Sequence, residues 1–475
     1  MVPSSATPDA GPARWRDLFS GQNALRAPML AGGVGVHAIN VFLATTILPS
    51  VVADIGGLDY YAWNTTLFVV ASILGAACST RLLAAQGAQR AYAFAALMFA
   101  LGSALCALAP SMPVLLSGRV VQGLGGGTLV ALSYAMIRLV FDARLWPRAM
   151  ALVSGMWGIG TLVGPAVGGM YAEFGHWRWA FGTLVPIAGL FAVLARLILP
   201  GRASAAPARS GMPWLQLALL TSAVLAVSAG SVHGSVAGSA LGIACAAVAS
   251  LALRRTELRA RHRLLPTDAL TGRSVLAPLY ACMCLLPITV TSCEIFVPLF
   301  LQVLHAQSPL RAGYLAALMA AGWTLAALYT AGRSPAGARR ALIAAPCVSL
   351  VSVAMLAWRM PMVSEGAWPT LLAMTPPMLG VGMGVGLAWP HLLTRVFQHA
   401  PAGEEHLASA SITTVQLYAT AIGAALAGMV ANAAGLSDPG GVEGTANAAR
   451  WLFTAFMAAP ALCLLAMLNA VRRAG

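Results

Sequence analysis

The sequence predicts an all-α polytopic membrane protein with about fourteen spanning helices, and three observations carry that prediction. Hydrophobic residues make up 59% of the 475 positions and charged residues 9%, against about 25% charged in soluble domains. A chain this apolar cannot bury its surface in water, so its solvent is lipid. The apolar residues also fall in runs of about 20, the length that crosses a bilayer. Finally, the 28 basic side chains are all arginine, and they gather on one side of the topology those runs define.

In chain order the runs lie near 28–50, 61–83, 90–110, 113–140, 147–172 and 178–199, then 213–232 and 235–253. Six more follow near 275–304, 309–331, 339–358, 367–397, 405–434 and 449–471. The pair at 213–253 is the least clearly marked, because of its glycine and serine content. The start, "MVPSSATPDAGPARWRDLFSGQNALRAP", has no apolar core, so no secretory signal peptide is expected. The expected division is a cytoplasmic tail over 1–27, a six-helix bundle over 28–200, a two-helix linker with a cytoplasmic loop over 201–274, and a second six-helix bundle over 275–475.

With both termini in the cytoplasm, 23 arginines fall inside and four (Arg178, Arg311, Arg359, Arg450) outside, with Arg119 left within a segment. That asymmetry fixes the orientation and points to a bacterial cytoplasmic (inner) membrane. It also explains the net charge of +14. The arginines are spread between apolar runs rather than clustered, so nucleic acid is not an expected partner. The eight cysteines (Cys78, Cys106, Cys245, Cys282, Cys284, Cys293, Cys347, Cys463) lie in or beside apolar runs without zinc spacing. They read as small buried hydrophobes, and no metal is expected.

The chain repeats itself. "GLGGGTLVALSYAMIRLV" from Gly123 resembles "GVGMGVGLAWPHLLTRVF" from Gly380, pairing Gly123, Gly125, Gly127 and Arg138 with Gly380, Gly382, Gly384 and Arg395 at an offset of 257. In that register His391 pairs with Tyr134. "GPAVGGM" from Gly164 is echoed by "GAALAGM" from Gly423, and "QGAQRAY" from Gln86 by "AGARRAL" from Ala336. Two related six-helix bundles in one orientation, with a binding site between them, are a transporter architecture.

Four stretches carry a family resemblance: "SGRVVQGLGGG" with Arg119, Gln122, Gly123 and Gly125; "GTLVGPAVGG"; "HWRWAFGTLVPIAG" from His176; and "VPLFLQVLHAQSPLRAG" from Val297. They resemble the major facilitator superfamily, and within it the fourteen-helix drug:proton antiporter branch (EmrB/QacA type). The resemblance implies the major facilitator fold, with two linker helices between the bundles, and assigns "GTLVGPAVGG" (Gly160, Gly164, Pro165, Gly168, Gly169) as the antiporter motif. Two departures stand out. Asn40 occupies the position of the family's first-helix aspartate, nine residues before Pro49, and Ala84 that of the acid in the loop after the second helix. An asparagine carries no proton, and the second acid normally helps lock the cytoplasmic gate.

Arg119 must face the bundle interior or a wet cavity, because a cation at mid-membrane costs at least about 2.5–3.5 kcal/mol on insertion scales. The resemblance ties it to proton transfer; a structural anchor for helix ends is the other reading. Glu294, in "TSCEIFVPLF", is the acid deepest in an apolar run, between Pro287 and Pro298. A carboxylate in low dielectric exchanges protons near neutral pH, so proton coupling or cation binding is expected there, against a static partner for an arginine. His37 and Asn40, three apart on the first helix, share a face, and His37 is a candidate substitute for the lost acid. Candidate cavity-lining groups are Asn40, Tyr134, Trp157, Trp323, Trp389, His391, Gln416 and Tyr418. Trp63, Trp177, Trp179 and Trp451 read as interfacial anchors. Asp54 and Glu173 read as ordinary hydrated residues at outer segment ends.

Phosphate-loop chemistry is excluded: neither glycine run follows a strand, and no Gly-Lys-Ser/Thr ending occurs. The chain is not expected to be an enzyme and needs no cofactor, the proton gradient being the energy source. The expected activity is proton-coupled efflux of small lipophilic compounds by alternating access. A dedicated exporter or importer of one native metabolite, and a non-transporting sensor or degenerate paralogue, stay open. Expected partners are membrane lipid and a small-molecule substrate, with a periplasmic adaptor and outer-membrane channel as candidates, and the chain is expected to be a monomer. Along the fifth segment, Gly160, Gly164 and Gly168 recur every four residues and form one small-residue face for close helix packing, with Pro165 bending the helix.

Overall fold

The structure, a computed structural model, describes residues 14–201, 211–232, 234–271 and 274–473. Residues 1–13 of the expected tail, and Arg202, Arg209 and Arg273 of the expected inside set, lie outside the described residues. A short α1 (Trp15–Leu18) leads into α2 (Asn23–Ile55), α3 (Trp63–Ala107), α4 (Met112–Val140), α5 (Trp146–Glu173), α6 (Trp177–Gly182) and α7 (Leu184–Ile198). The linker pair is α8 (Trp214–Ser231) and α9 (Val236–Arg259). The second half comprises α10 (Leu276–His305), α11 (Pro309–Thr330), α12 (Pro335–Arg359), α13 (Trp368–His399), α14 (Glu405–Ala433), α15 (Gly441–Phe456) and α16 (Ala458–Arg473).

Among the described residues thirteen helical stretches are long and apolar enough to cross a membrane, and one of them is two crossings. α3 turns back at Gly87, whose φ of +76° only glycine adopts without strain. Among the described residues this makes fourteen candidate crossings, which puts Trp15 and Arg473 at one face, called here the termini side. The other is the distal side. α5 continues through Pro165 as one helix rather than breaking there.

In the first bundle α3 packs along α4 and α7, and α2 along α5. In the second, α10 packs on α14 and α16, and α13 on α11 and α12. The linker helices pack on each other, with α8 seated against α14 and α3. Glycine makes the tightest contacts: a Cβ on Gly123 or Gly127 would strike the carbonyls of Phe68 and Ser72, and one on Gly125 the backbone of Phe99. The second bundle repeats this arrangement with Gly382 and Gly386 against the carbonyls of Met319 and Trp323, and Gly384 against Ser349 and Ala345. Gly123 therefore matches Gly382, an offset of 259 rather than 257. Gly164 and Gly423 already have that spacing. The expected pairing of Tyr134 with His391 is thus corrected to Leu393. The sequence misled because glycines two apart score equally well in either register.

Several other expectations change. Trp177 is 3% exposed and donates from Nε1 to Asp54 Oδ2 at 3.1 Å, so it is a packed residue and not an interfacial anchor. Asp54 is not merely hydrated, since Arg178 also pairs with it at 2.5 Å. Trp179 and Trp451 are exposed, as anchors should be, and Trp63 is half-buried beside Tyr60. Of the cysteines, Cys106, Cys282, Cys293 and Cys463 are buried, while Cys245 is exposed on α9 and the rest are intermediate.

The two bundles meet mainly toward the distal side. Tyr61 stacks on Phe296 at 5.0 Å, Tyr314 Oη donates to the Leu162 carbonyl at 3.2 Å, and Gly169 abuts Leu310. Asn432 Nδ2 donates both to the Asp59 carbonyl at 2.9 Å and to the Ser231 carbonyl of α8 at 3.0 Å, joining both bundles and the linker. On the termini side of α5, Gly155 and Gly158 face open space.

Candidate functional site

The polar centre of the molecule is built on α4. Arg119 is 2% exposed, and its guanidinium faces the first bundle. Nε donates to the Asn64 carbonyl at 3.2 Å; Nη1 donates to Asn40 Oδ1 at 3.3 Å and, one turn along α4, to Gln122 Oε1. Gln122 in turn donates to Ser103 Oγ at 2.8 Å. The guanidinium also lies 4.1 Å from the Phe68 ring centroid. Hydrogen bonds to a charged group contribute about 1.5–3 kcal/mol each, so three of them, with the ring contact, outweigh the insertion cost of roughly 2.5–3.5 kcal/mol. Every acceptor is neutral. The cation is solvated by its own bundle without being neutralised.

His37 and Asn40 do share a face, and both are buried beside this network. The His37 ring lies 5.2 Å from Phe68 and 5.8 Å from Trp157, with Nδ1 against Gly126. His37 Nδ1, Asn40 Nδ2 and both side-chain heteroatoms of Asn64 are buried without a protein partner. Buried polar atoms are rarely left so, and four such atoms around one arginine mark a region suited to small polar guests.

Glu294, on α10 of the second bundle, is half-buried, and its carboxylate makes no hydrogen bond or ion pair among the described residues. It lines a cavity of about 60 Å³ together with Arg119 and with Thr45, Thr65, Thr291 and Thr420, so both bundles contribute walls. One water needs roughly 10–15 Å³ of such space, whereas drug-sized pockets run to about 300 Å³ or more. The cavity as it stands admits water or small ions and excludes a drug-sized molecule. A larger hollow of about 340 Å³, lined by Tyr60, Trp63, Leu67 and Pro113 among others, lies on the flank between α3 and α4 away from these charges.

The remaining candidates are dispersed. Tyr134 Oη is 3.1 Å from Ser154 Oγ on α5, whereas His391 Nε2 is 2.7 Å from Thr330 Oγ1 on α11, as the corrected register requires. Trp323 and Trp389 pack edge to face at 5.6 Å within the second bundle. Gln416 is half-buried on α14. Tyr418 points into an apolar cluster with Val224 and Val227 of the linker, not into the central cavity. In the antiporter motif, Gly160, Gly164 and Gly168 seat on Ala38, Phe42 and Leu43 of α2. Gly169 meets Leu310 of α11, and Pro165 stands where a Cβ on Gly313 would lie 3.2 Å away.

Sequence reasoning missed Asn64, which precedes Thr65 and Thr66 at the start of α3, and Ser103 and Asn432, each a single polar residue in an apolar run with no local signal. It also missed Glu257 at the end of α9, 3% exposed, whose Oε1 accepts from the amides of Leu264 and Leu265 at 2.5 and 2.7 Å.

Two glycine-packed bundles of matching design, closed around a shared polar cavity, define a polytopic membrane transport protein. The sequence matches the Major Facilitator Superfamily over residues 30–424. It is 36% identical over 467 residues, 97% of both chains, to a Mycobacterium tuberculosis protein named "Probable multidrug-efflux transporter". It is 30% identical over 158 residues to "Multidrug resistance protein 3" of Bacillus subtilis, covering 33% of this chain and 31% of that protein. Among solved structures, the POT family transporter PepTSo aligns with a TM-score of 0.65 at 17% identity, covering 94% of this chain and 98% of its own. A bacterial homologue of the human lysosomal transporter Spinster, in an inward-facing and unoccupied conformation, aligns with a TM-score of 0.65 at 13% identity over 95% and 98%. The chain belongs to the major facilitator superfamily, and it is a transporter, not an enzyme.

Proposed function

We propose that this transporter is a proton-coupled exporter of small lipophilic compounds, working by alternating access. The observation that carries the reading is the shared cavity that Glu294 of one bundle and Arg119 of the other both line without forming an ion pair. Arg16 pairs with Asp17 and Arg178 with Asp54, and none of these four lines the cavity. Glu294 carries the proton, Arg119 sets the field it works against, and His37 sits next to Arg119 as a secondary polar group. The cargo site lies along the same seam, widening toward Trp157 and the Trp323–Trp389 pair. The named relatives, described as a multidrug-efflux transporter and a multidrug resistance protein, support efflux.

The bundles are residues 28–200 and 275–475, with 201–274 as linker. The arginine asymmetry supports cytoplasmic termini in a bacterial inner membrane, and with that orientation the contacts between the bundles on the distal side support an inward-opening state. No cofactor takes part: the proton gradient supplies the energy, and the protein acts as a monomer that an adaptor and outer-membrane channel can extend. A ligand shifts a two-state equilibrium only by its differential affinity. Protonation of Glu294 and binding of cargo must therefore favour opposite facing states.

The test is transport of a lipophilic dye into inverted vesicles under an imposed proton gradient. Wild type should concentrate the dye and Glu294→Gln should not. Gradient-driven transport that persists unchanged in Glu294→Gln overturns the coupling assignment, and no transport by wild type of any dye overturns the export reading.

A further inference from the structure

The termini-side end of the second bundle carries a cationic cluster that no transport role explains. Arg333, Arg339 and Arg340 lie at the turn from α11 into α12, and Arg395 lies one turn beyond His391 at the end of α13. Between residues 309 and 399 the one acid is Glu365, in the distal connection before α13. The next carboxylates along the chain are already engaged: Glu404 accepts from the Thr267 amide at 2.8 Å and from its hydroxyl, and Glu405 accepts from the Gly403 amide at 3.2 Å.

Arg395 is half-buried, its guanidinium makes no hydrogen bond among the described residues, and its Nη1 is buried without a partner. α12 and α13 pack together in opposite directions, Gly380 against Ser352 and Gly384 against Ala345 and Ser349, which brings Arg339 at the start of α12 toward Arg395 and toward His391, itself held by Thr330. Arg333 of the cluster is provided for, donating from Nε to the Tyr329 carbonyl at 3.4 Å and lying 4.3 Å over the Tyr329 ring, and arginines at the same end of the first bundle are provided for in the same way. Arg138 lies 5.5 Å over the Trp146 ring and Arg81 5.6 Å over Trp214, while Arg26 donates to the Val140 carbonyl at 3.5 Å. Like charges held together without acceptors are stabilised by an external anion, and a guanidinium fork matches phosphate oxygens two at a time.

We propose that Arg339 and Arg395 form a binding site for a phosphate group, occupied by the headgroup of an anionic phospholipid from the leaflet at the termini side. Leu328, Tyr329 and Phe397 stand exposed at the same ends of α11 and α13, offering apolar surface for the acyl chains that a free phosphate lacks. Basic pockets between spanning helices at this depth suit lipid headgroups.

The test is native mass spectrometry of the full chain in detergent, titrated with short-chain phosphatidylglycerol, short-chain phosphatidylcholine or inorganic phosphate. At the strength typical of basic side chains near an anionic surface, removing both should weaken phosphatidylglycerol binding about thirtyfold in Arg339→Gln/Arg395→Gln. The charge-conserving Arg339→Lys/Arg395→Lys should keep most of it, and phosphatidylcholine should not discriminate among the variants. Should the glutamine variant fail to fold, phosphatidylglycerol binding by wild type that inorganic phosphate competes away supports the phosphate site. If competition leaves the bound lipid untouched, that site is excluded. Inorganic phosphate binding as tightly as the lipid assigns the site to a soluble anion and overturns the headgroup. Equal phosphatidylglycerol binding by wild type and the glutamine variant overturns the site itself.

Discussion

The two bundles share their packing and divide their chemistry. In both, a glycine-striped helix (α4 or α13) is wedged between two neighbours at backbone contact. Only the first holds a buried arginine, with Asn40, Asn64 and Gln122 as neutral acceptors; only the second offers an acid to the central cavity. The fifth helices differ too. α5 has Pro165 and three glycines pressed on α2, whereas α14 has Ala424 in the matching place and Gly423 lies 3.1 Å, by its would-be Cβ, from Ile288. Repeated architecture therefore does not imply repeated function. The scaffold is duplicated, while charge is split so that it meets only across the seam.

That comparison can be broken or sharpened by substitution. The largest effect is expected from Arg119→Met, which strips the acceptors of their donor and leaves several buried polar atoms unpaired, at about 1–3 kcal/mol each. Transport should vanish, and the melting temperature should drop even in detergent. Unaltered efflux by this variant would mean the arginine is dispensable. Next comes the paired change Gly164→Leu and Gly423→Leu. Even the Cβ at 164 would sit 2.6 Å from Phe42 Cβ and 2.9 Å from the Ile39 carbonyl. Overpacking of this kind costs typically about 1–3 kcal/mol or more, so the first-bundle variant should lose folded yield much further than the second. Equal losses would contradict the division of labour.

A subtler probe is Asn40→Asp, which returns a carboxylate to the first bundle 3.3 Å from the Arg119 guanidinium. Combined with Glu294→Gln it should recover part of the gradient-driven transport that the single Glu294→Gln change removes. No recovery would show that the acid must stand on the second bundle. The smallest effect is expected from Asn432→Ala, which removes two hydrogen bonds worth about 1 kcal/mol each. It should raise labelling of a cysteine placed at the distal seam several-fold, without abolishing transport. Unchanged labelling would show that the distal closure does not depend on this side chain.

Much of the fold was legible because bilayer physics writes it in one dimension. Runs of about 20 apolar residues mark the crossings, and even the weak pair at 213–253 became α8 and α9. The turn at Gly87 fell between two such runs. What stayed hidden depends on rotation about helix axes. Nothing in the local sequence tells that Trp177 turns inward to Asp54, that Tyr418 turns away from the centre, or that Asn64 presents its carbonyl to Arg119. The repeat register failed for a related reason: spacing by two is ambiguous in a glycine stripe, and only the carbonyls across the gap decide it. The convergence of Arg119 and Glu294, 175 positions apart in the chain, required the two bundles to be seen together.

The position of the linker pair reaches beyond connectivity. Because α8 fills the groove between α3 and α14, that flank of the molecule is caulked from the bilayer, with α9 as an outer plank. On the opposite flank, where α5 meets α11, no helix among the described residues gives such cover, and Leu162 and Tyr314 stand exposed along it. A solute dissolved in the hydrocarbon thus meets two unlike flanks: on one a helix pair stands between it and the junction of the bundles, and on the other α5 and α11, in contact with each other, face the lipid directly.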